Sequence, residues 1–349
     1  MRTVVSRPDL ADPVLAARWQ GLAAGAGATV FQSWTWVGCL AAERYPDPLL
    51  VETYAGDTLI GLALFNRRRT WWSDSLHLHE SGDPAQDGIF VEHNGPVSAP
   101  GRRAEVWDAT LRAIGPVAGR IVLSGIDDAG LSAVRARGGL VDRLQTRLAP
   151  YAAIDPAGPP FIETLSRNTR AQIRRSDRAY AGSGPIRVER ATTPEQAARD
   201  MAEMLRLHAA TWEARGIASA FTSAPVQRFH AALIARCVPT GEVDLLRISA
   251  GARLIGVLLN LRAGGRVAAY QSGFDYAGAG PHEKPGLTCH HAAIDHARRS
   301  GAMEYDFLAG DSRYKRSLGA GVRAMHWLTW RPRPGAYRAV PLLRRLMGR

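Results

Sequence analysis

The sequence has few cysteines and lacks the spacings that cysteine-based sites need. It contains three cysteines in 349 residues, and they lie far apart: Cys39, Cys237 and Cys289. No Cys-x-x-Cys pair and no Cys/His zinc pattern occurs, so we expect neither a disulfide framework nor a zinc site. The three histidines at 290, 291 and 296 are not spaced as a metal pair either, and we predict no metal.

Long apolar runs are also missing. The N-terminal residues 1–19 contain no continuous apolar stretch of the kind found in secretory leaders, and no run of 18 apolar residues occurs. We therefore expect a cytoplasmic protein without a membrane span.

Lysine is the scarcest charged residue. It occurs only at Lys284 and Lys315, so 42 of the 44 basic residues are arginine. The net charge of +12 has two readings: an arginine-rich genomic composition, or an anionic partner such as nucleic acid, a phosphorylated cofactor or an acidic carrier protein. Because arginine and lysine are not interchangeable, the two retained lysines suggest sites that require an ammonium group.

The length and the order of predicted elements indicate two domains. Hydrophobic residues make up 46% and charged residues 22%, which is ordinary for globular proteins. Residues 1–150 and 161–349 each read as helices, a hairpin, and then alternating strands and helices. The proline-rich segment 151–160 is the predicted linker. We predict an α/β (α+β) fold, duplicated, with the active site in the second domain.

One stretch, Tyr305–Gly319, has the form of a strand-end active site. A short apolar–polar alternation predicts a strand, and Asp306 lies within it. The Ala-Gly-Asp-Ser turn follows, and then Tyr314 and Lys315. Phe307 is a candidate substrate contact on the opposite face of the strand from Asp306.

A second candidate lies at Lys284, Pro285 and Gly286, directly before a predicted helix. Free N–H groups and the helix dipole favour an anion at such an end, and glycine allows close approach of a phosphate. The alternative is an ordinary helix start, where proline is common.

A basic stripe is predicted on the helix within 161–180. Its members follow helical spacing: Arg167, Arg170, Arg174 and Arg178. It is either a solvated face or a contact for the phosphates of a cofactor, for nucleic acid or for an acidic carrier protein. His208 and Trp212 share one face of a later helix, as a wall of a substrate pocket or as core.

Short motifs follow one another in a fixed order through the second half. They are Leu165–Arg170 with Arg174–Arg175, His208–Trp212 with Arg215–Gly216, Phe229–His230, Leu254–Leu261, Pro285–Gly286, and Tyr305–Gly310 with Tyr314–Lys315. Weaker matches in the first half are Phe31–Trp36, Leu59–Phe65 and Ser81–Asp83. In these motifs the chain resembles the GNAT-fold acyltransferases, and among them the FemAB-like and BioF2-like groups. The resemblance implies two tandem GNAT-like domains, each a mixed, mostly antiparallel sheet flanked by helices.

The chain departs from ordinary GNAT enzymes in one place. Their acetyl-CoA loop, Arg/Gln-x-x-Gly-x-Gly/Ala, is replaced by YAGAGPHEKPG at 276–286. The donor therefore stays open between acyl-CoA, an acyl-carrier protein and an aminoacyl-tRNA.

The resemblance also implies a role for Lys315, which would stabilise the oxyanion of acyl transfer. Two further roles follow from the chemistry of amine attack. The amine must lose a proton, so Asp306 would be the base or orient the amine. Tyr314 would protonate the leaving group. The alternatives are a surface lysine, a carboxylate paired with arginine, and a packed tyrosine.

Splayed strand ends in a GNAT fold would admit the amide groups of the acyl donor. The residues at the corresponding strand end are Tyr270, Gln271 and Ser272.

The predicted activity is N-acyl transfer from an acyl thioester to an amine-bearing small molecule or peptide by direct attack, without a permanently bound cofactor. An aminoacyl-tRNA-dependent transferase is the first alternative. A non-catalytic nucleic-acid-binding protein is the second.

Overall fold

The computed structural model describes residues 1–71, 73–216, 219, 221, 223–310 and 312–333. The chain divides into two units, one formed by Met1–Arg147 with the described residues from Ala324 onward, the other by Leu148–Arg323. The predicted domain boundary at 151–160 stays a prediction, although a strand extends into it as far as Ala153. Residues 334–349 of the predicted second domain lie outside the described residues.

The first unit contains a mixed sheet. Its strands are β1 (Arg2–Ser6), β2 (Pro48–Ala55), β3 (Thr58–Thr70), β4 (Ser73–Leu78), β5 (Val97–Ser98), β6 (Arg120–Ile126) and the last strand, β13 (Gly321–Arg331). Its helices are α1 (Pro13–Ala26), α2 (Trp34–Arg44), α3 (Arg103–Ile114) and α4 (Asp128–Arg137). The strand order is β1-β2-β3-β4-β6-β13, and β5 pairs with β3.

The second unit repeats this plan. Its strands are β7 (Leu140–Ala153, which begins in the first unit), β8 (Ile186–Arg190), β9 (Val243–Ala250), β10 (Arg253–Ala263), β11 (Arg266–Phe274) and β12 (Glu304–Asp306). Its helices are α5 (Phe161–Thr164), α6 (Arg167–Ala181), α7 (Pro194–Glu213), α8 (Ala224–Cys237), α9 (Pro285–Arg299) and α10 (Arg313–Leu318). The strand order is β8-β9-β10-β11-β12-β7.

The two units share one pattern of strand directions. In each, four antiparallel strands are followed by one parallel pair, β4 with β6 and β11 with β12, and then by an antiparallel last strand. A helix connects the parallel strands, as such a crossover requires. This confirms the predicted fold of two domains, each with a mixed, mostly antiparallel sheet and flanking helices.

The start of α6 and its packing against α9 are determined by individual residues in its sequence. The predicted helix over 161–180 is interrupted at Leu165 and Ser166, because the Ser166 hydroxyl accepts from Thr169 N at 3.2 Å and caps a new helix. The inward side chains then follow helical spacing: Thr169, Ile173, Ser176 and Tyr180 are buried. Ser176 and Thr288 hydrogen bond at 2.8 Å, so α6 lies against α9.

The strand predicted at the start of Tyr305–Gly319, over residues 305–308, is observed at Glu304–Asp306. The strand β12 ends at Asp306, and Leu308 then adopts the left-handed region at φ 59°. Such a backbone cannot continue a strand. Among the described residues, no helix has both the length and the hydropathy needed to cross a membrane.

Candidate active site

A fork opens in the second unit where β11 and β12 part. The two strands pair only from Arg266 to Ala268 on β11. Beyond Ala268, β11 continues along β10, whereas the chain after β12 follows β7, with Phe307 N donating to Pro150 O at 2.9 Å. The fork thus exposes one edge of β11 where it is no longer paired with β12.

A cavity of about 440 Å³ lies at the N-terminus of α9. Its lining comes from α6, the loop before α9, the first turn of α9, and α10: Asn168, Thr169, Gln172, Tyr276, Glu283, Lys284, Pro285, Gly286, Leu287, Arg313, Tyr314 and Ser317. Four of the residues predicted from the sequence therefore meet here: Lys284, Pro285, Gly286 and Tyr314.

The charges around the cavity favour an anion. Lys284 and Arg313 are exposed cations in its lining. The Glu283 carboxylate is neutralised by a bidentate pair with Arg253, at 2.8 and 2.7 Å. An α-helix leaves the N–H groups of its first turn without partners in the helix, and here Gly286 and Leu287 of that turn line the cavity.

Helix α6 fixes the entrance of α9. The Lys284 amide donates to Ser176 Oγ at 2.8 Å, and the Lys284 ammonium donates to Gln172 Oε1 at 3.1 Å. Arg170 and Arg174 lie about 160° around the helix from Gln172 and do not line the cavity. Their cofactor role stays a prediction. The Arg170 guanidinium donates instead to the carbonyl of Glu163 at 3.0 Å.

Tyr314 is held by an aromatic stack. Its ring lies parallel to that of His290, with centroids 4.9 Å apart and an interplanar angle of 14°. Burial, assisted by the neighbouring Tyr276 hydroxyl, raises the pKa of Tyr314 to about 12. Burial lowers the pKa of His290 to about 3, so its imidazole is neutral. The phenol therefore keeps its proton at neutral pH, and its ring cannot turn freely.

Lys315 contacts the protein backbone. Its ammonium donates to the carbonyls of Leu308 and Ala309 at 3.2 and 2.9 Å. These carbonyls belong to the turn between β12 and α10. Lys315 does not line the cavity, and its predicted role at the oxyanion stays a prediction.

Asp306 is 5% exposed, and both its oxygens have partners. Oδ1 accepts from Leu308 N at 2.7 Å, and Oδ2 lies 3.4 Å from Arg323 Nη1. Arg323 also forms a bidentate pair with Glu304 and lies 3.9 Å from the centroid of the Tyr151 ring. The geometry matches the carboxylate–arginine alternative, and the proposed role as base stays a prediction.

Tyr270, Gln271 and Ser272 lie on β11 beyond its pairing with β12, and the donor-binding role predicted for them stays a prediction. The pairing of β10 with β11 shifts register here, so that Leu259 pairs with Gln271 and Tyr270 forms a bulge. The Tyr270 hydroxyl is 3.2 Å from His230 Nε2. The carbonyl of Ser272 accepts from His208 Nδ1 at 3.0 Å.

Trp212 and Phe307 pack against other rings and do not line the cavity. Trp212 is 5.8 Å from His208 between ring centroids. Phe307 is 1% exposed and contacts His290 and Tyr314, at 5.6 and 6.2 Å between centroids. Phe307 thus supports the Tyr314 stack from inside the core, and the substrate roles predicted for both residues stay predictions.

Sequence reasoning missed several lining residues, among them Asn168, Gln172, Tyr276 and Arg313. One signal was available. Asn168 and Gln172 form an uncharged polar i, i+4 pair on α6, well separated from the arginine stripe. The arginine stripe is the stronger signal in this helix, and the uncharged face was not predicted as a site.

The segment that contains the cavity matches a known protein family. The family model described as an acetyltransferase (GNAT) domain matches residues 167–316, from α6 into α10. All cavity-lining residues except Ser317 fall inside that match. This segment carries a GNAT acyltransferase domain. No curated protein matches the chain.

Solved structures resemble the whole chain in fold. The structure of L-PGS from Bacillus licheniformis has 12% identity and a TM-score of 0.55, covering 97% of this chain and 98% of that one. The C-terminal domain of a protein assigned as a lysylphosphatidylglycerol synthetase from Agrobacterium fabrum has 11% identity, a TM-score of 0.53 and 94% coverage of both chains. A tandem GNAT protein from the clavulanic acid pathway has 11% identity and a TM-score of 0.51, covering 96% of this chain and all of that one. These likenesses show a tandem GNAT fold.

Proposed function

We propose that the second unit transfers an acyl group from an acyl thioester, either acyl-CoA or an acyl-carrier protein, to an amine. The observation that carries the proposal is that one cavity is lined by the start of α9, by Lys284 and by the partly buried Tyr314. The first two suit the phosphates of the donor. The third suits its leaving thiolate.

Donor phosphates would bind at the first turn of α9. The N–H groups of Gly286 and Leu287 and the positive end of the helix dipole favour an anion there. Glycine at 286 allows the Tyr276 side chain to pack closely against this turn, since a Cβ at this position would lie 3.0 Å from the Tyr276 hydroxyl. Lys284 and Arg313 add the positive charge that the missing glycine loop does not supply.

The reaction is direct aminolysis. The amine nitrogen bonds to the carbonyl carbon, the carbon–sulfur bond breaks, and the ammonium proton leaves to solvent or a base. The Tyr314 phenol would give its proton to the thiolate, since its raised pKa keeps it protonated at neutral pH. Lys315 would hold the turn that leads into α10, and a contact with the oxyanion is the further role predicted for it.

The test is a donor panel. Purified protein is incubated with acyl-CoAs of different chain length, or with acyl-carrier protein, together with small amines and peptides. Free thiol is measured, and the product is identified by mass. We expect thiol release that depends on the amine. No amide product with any pair would contradict the proposal.

A second candidate is transfer from an aminoacyl-tRNA, as in FemAB-like enzymes. The exposure of Arg167, Arg174 and Arg178 on α6 favours it, because a row of unburied arginines suits a phosphate backbone. Ribonuclease separates the two candidates. It would abolish tRNA-dependent transfer and leave thioester-dependent transfer unchanged.

A further inference from the structure

An acidic residue lies in a cavity that suits an anion. Glu283 lines the cavity immediately before Lys284, and its side chain is 9% exposed. A charged carboxylate at this place would repel a phosphate through a partly dry medium, where charge interactions are stronger than in water. Something must offset that charge if the cavity is to bind an anionic donor.

Arg253 supplies the opposite charge from outside the cavity lining. Its Nη1 is 2.8 Å from Glu283 Oε1, and its Nη2 is 2.7 Å from Oε2. This is the planar, bidentate geometry that arginine forms with carboxylates and lysine cannot reproduce. The arginine hydrogen bond lowers the pKa of Glu283, so the carboxylate is charged and the pair is ionic.

The same pair shapes the loop that leads into α9. Glu283 Oε2 accepts from Gly280 N at 2.7 Å, and Arg253 Nη2 donates to Gly278 O at 2.5 Å. Asp275 Oδ1 accepts from Gly278 N at 2.9 Å. The loop is therefore held by side-chain bonds along its length, in the place where ordinary GNAT enzymes have glycines.

Arg253 is itself fixed in position. It is the first residue of β10, and its guanidinium carbon lies 5.2 Å from the centroid of the Tyr180 ring at the end of α6. Strand, ring and carboxylate thus leave the guanidinium one orientation.

We propose that Arg253 is a positioning residue that makes the cavity competent for an anionic donor, by neutralising Glu283 and holding it on the loop before α9. The inference rests on the proposed function, because it takes the phosphates of the donor to bind beside Lys284. Arg253 is distant from the reacting atoms, and its charge controls the affinity for the donor.

The test is calorimetric titration of coenzyme A, and separately of inorganic pyrophosphate, into the full chain. Arg253→Gln leaves the Glu283 carboxylate unpaired, and we expect about 10-fold or weaker binding at pH 7.5. Arg253→Lys keeps the charge and should recover most of the loss. The double variant Arg253→Gln/Glu283→Gln has no unpaired charge and should bind within about 3-fold of wild type.

Two further readouts separate charge from simple bracing. In Arg253→Gln, Glu283 becomes protonated and loses its charge below about pH 5. The difference in affinity between this variant and wild type should therefore become smaller there. The control is Arg112→Gln, which removes the same charge from an exposed pair with Asp108 in the first unit and should bind like wild type.

Each outcome decides the inference. If wild type binds coenzyme A and Arg253→Gln binds equally well, the inference alone is wrong. A double variant as weak as Arg253→Gln would also overturn it, since bracing would then be the whole effect. If wild type binds neither ligand, the inference fails, whereas the proposed function is decided separately by the donor panel, which includes acyl-carrier protein.

Discussion

Asp306 offers the clearest separation between a structural and a catalytic carboxylate. The sequence made it the first choice as base, whereas the structure gives both its oxygens to partners inside the protein. We predict that Asp306→Asn keeps most of the acyl transfer rate, because the amide oxygen still accepts from Leu308 N. We predict that Asp306→Ala is destabilising instead.

The magnitude follows from the groups left behind. Alanine would leave the buried N–H of Leu308 without its acceptor, which costs about 1–3 kcal/mol. Leu308 also has φ at 59°, a region that costs a residue with a side chain about 1–2 kcal/mol and that the Asp306 bond helps to hold. Arg323 keeps Glu304, so it adds little. We expect a total loss of about 2–4 kcal/mol for alanine and about 1 kcal/mol for asparagine.

The assay combines urea unfolding with thiol release per folded molecule. Asp155→Ala is the matched control, since Asp155 also accepts from an amide two residues on, Ala157 N at 2.9 Å, but in an exposed turn. It should cost under about 1 kcal/mol. The reasoning is refuted if Asp306→Asn unfolds at the wild-type urea concentration yet loses about 100-fold in kcat, as a missing base would.

Three further predictions concern titratable groups. Tyr314→Phe should lower kcat by about 100-fold with little change in KM, whereas Tyr276→Phe should not; equal kcat values for both variants would exclude Tyr314 as the proton donor. Burial, followed by the charge of Asp87, raises the pKa of Glu80 to about 8 from 4.5, so this group's contribution to stability is complete below pH 4.5 and is lost as pH rises through 8. The free energy of unfolding of Glu80→Gln, measured in urea, should therefore change less between pH 5 and 8 than that of wild type. One proton is worth up to about 1.4 kcal/mol per pH unit in this range, and a pH dependence equal to that of wild type would refute the prediction. Burial and the charge of Lys315 lower the pKa of His290 to about 3, so its contribution to stability is complete above pH 6.5 and is lost as pH falls toward 3. The free energy of unfolding of His290→Gln should therefore fall less on acidification than that of wild type. An equal fall in both proteins would contradict the prediction.

Much of the fold could be predicted from local signals. Both ends of α2 (Trp34–Arg44) are marked in the local sequence, because Ser33 caps its start and Pro46 follows its end. The long helix α7 begins at Pro194, directly after its cap Thr193, whose hydroxyl accepts from Gln196 N. Such elements are determined by bonds a few residues apart.

Elements that depend on distant partners were missed. The strand Leu140–Ala153 has little alternation of exposure in its first half and runs into the proline-rich segment predicted as a linker. Its last residues are strand because they pair with β12, about 150 positions further along the chain. No local pattern carries that information.

The residues of the site likewise divide into those with a local sequence signal and those whose partners are distant in the chain. Lys284, Pro285 and Gly286 lie at a helix start that the local sequence predicts, and all three line the cavity. The partner of Glu283 is Arg253, thirty positions away, and the partner of Tyr314 is His290 on another helix. The scarcity of lysine drew attention to Lys315, but scarcity does not say whether an ammonium faces a substrate or two backbone carbonyls.

The central claim is that the donor lies at the start of α9, and photoaffinity labelling tests it most directly. A coenzyme A analogue with a photoreactive group near its phosphates is irradiated with the protein, and the labelled peptides are identified by mass. We predict labels in peptides that contain Gln172, Lys284–Leu287 or Arg313–Ser317, all suppressed by unmodified coenzyme A. Labels in the first unit only, or labels that unmodified coenzyme A does not suppress, would contradict the claim.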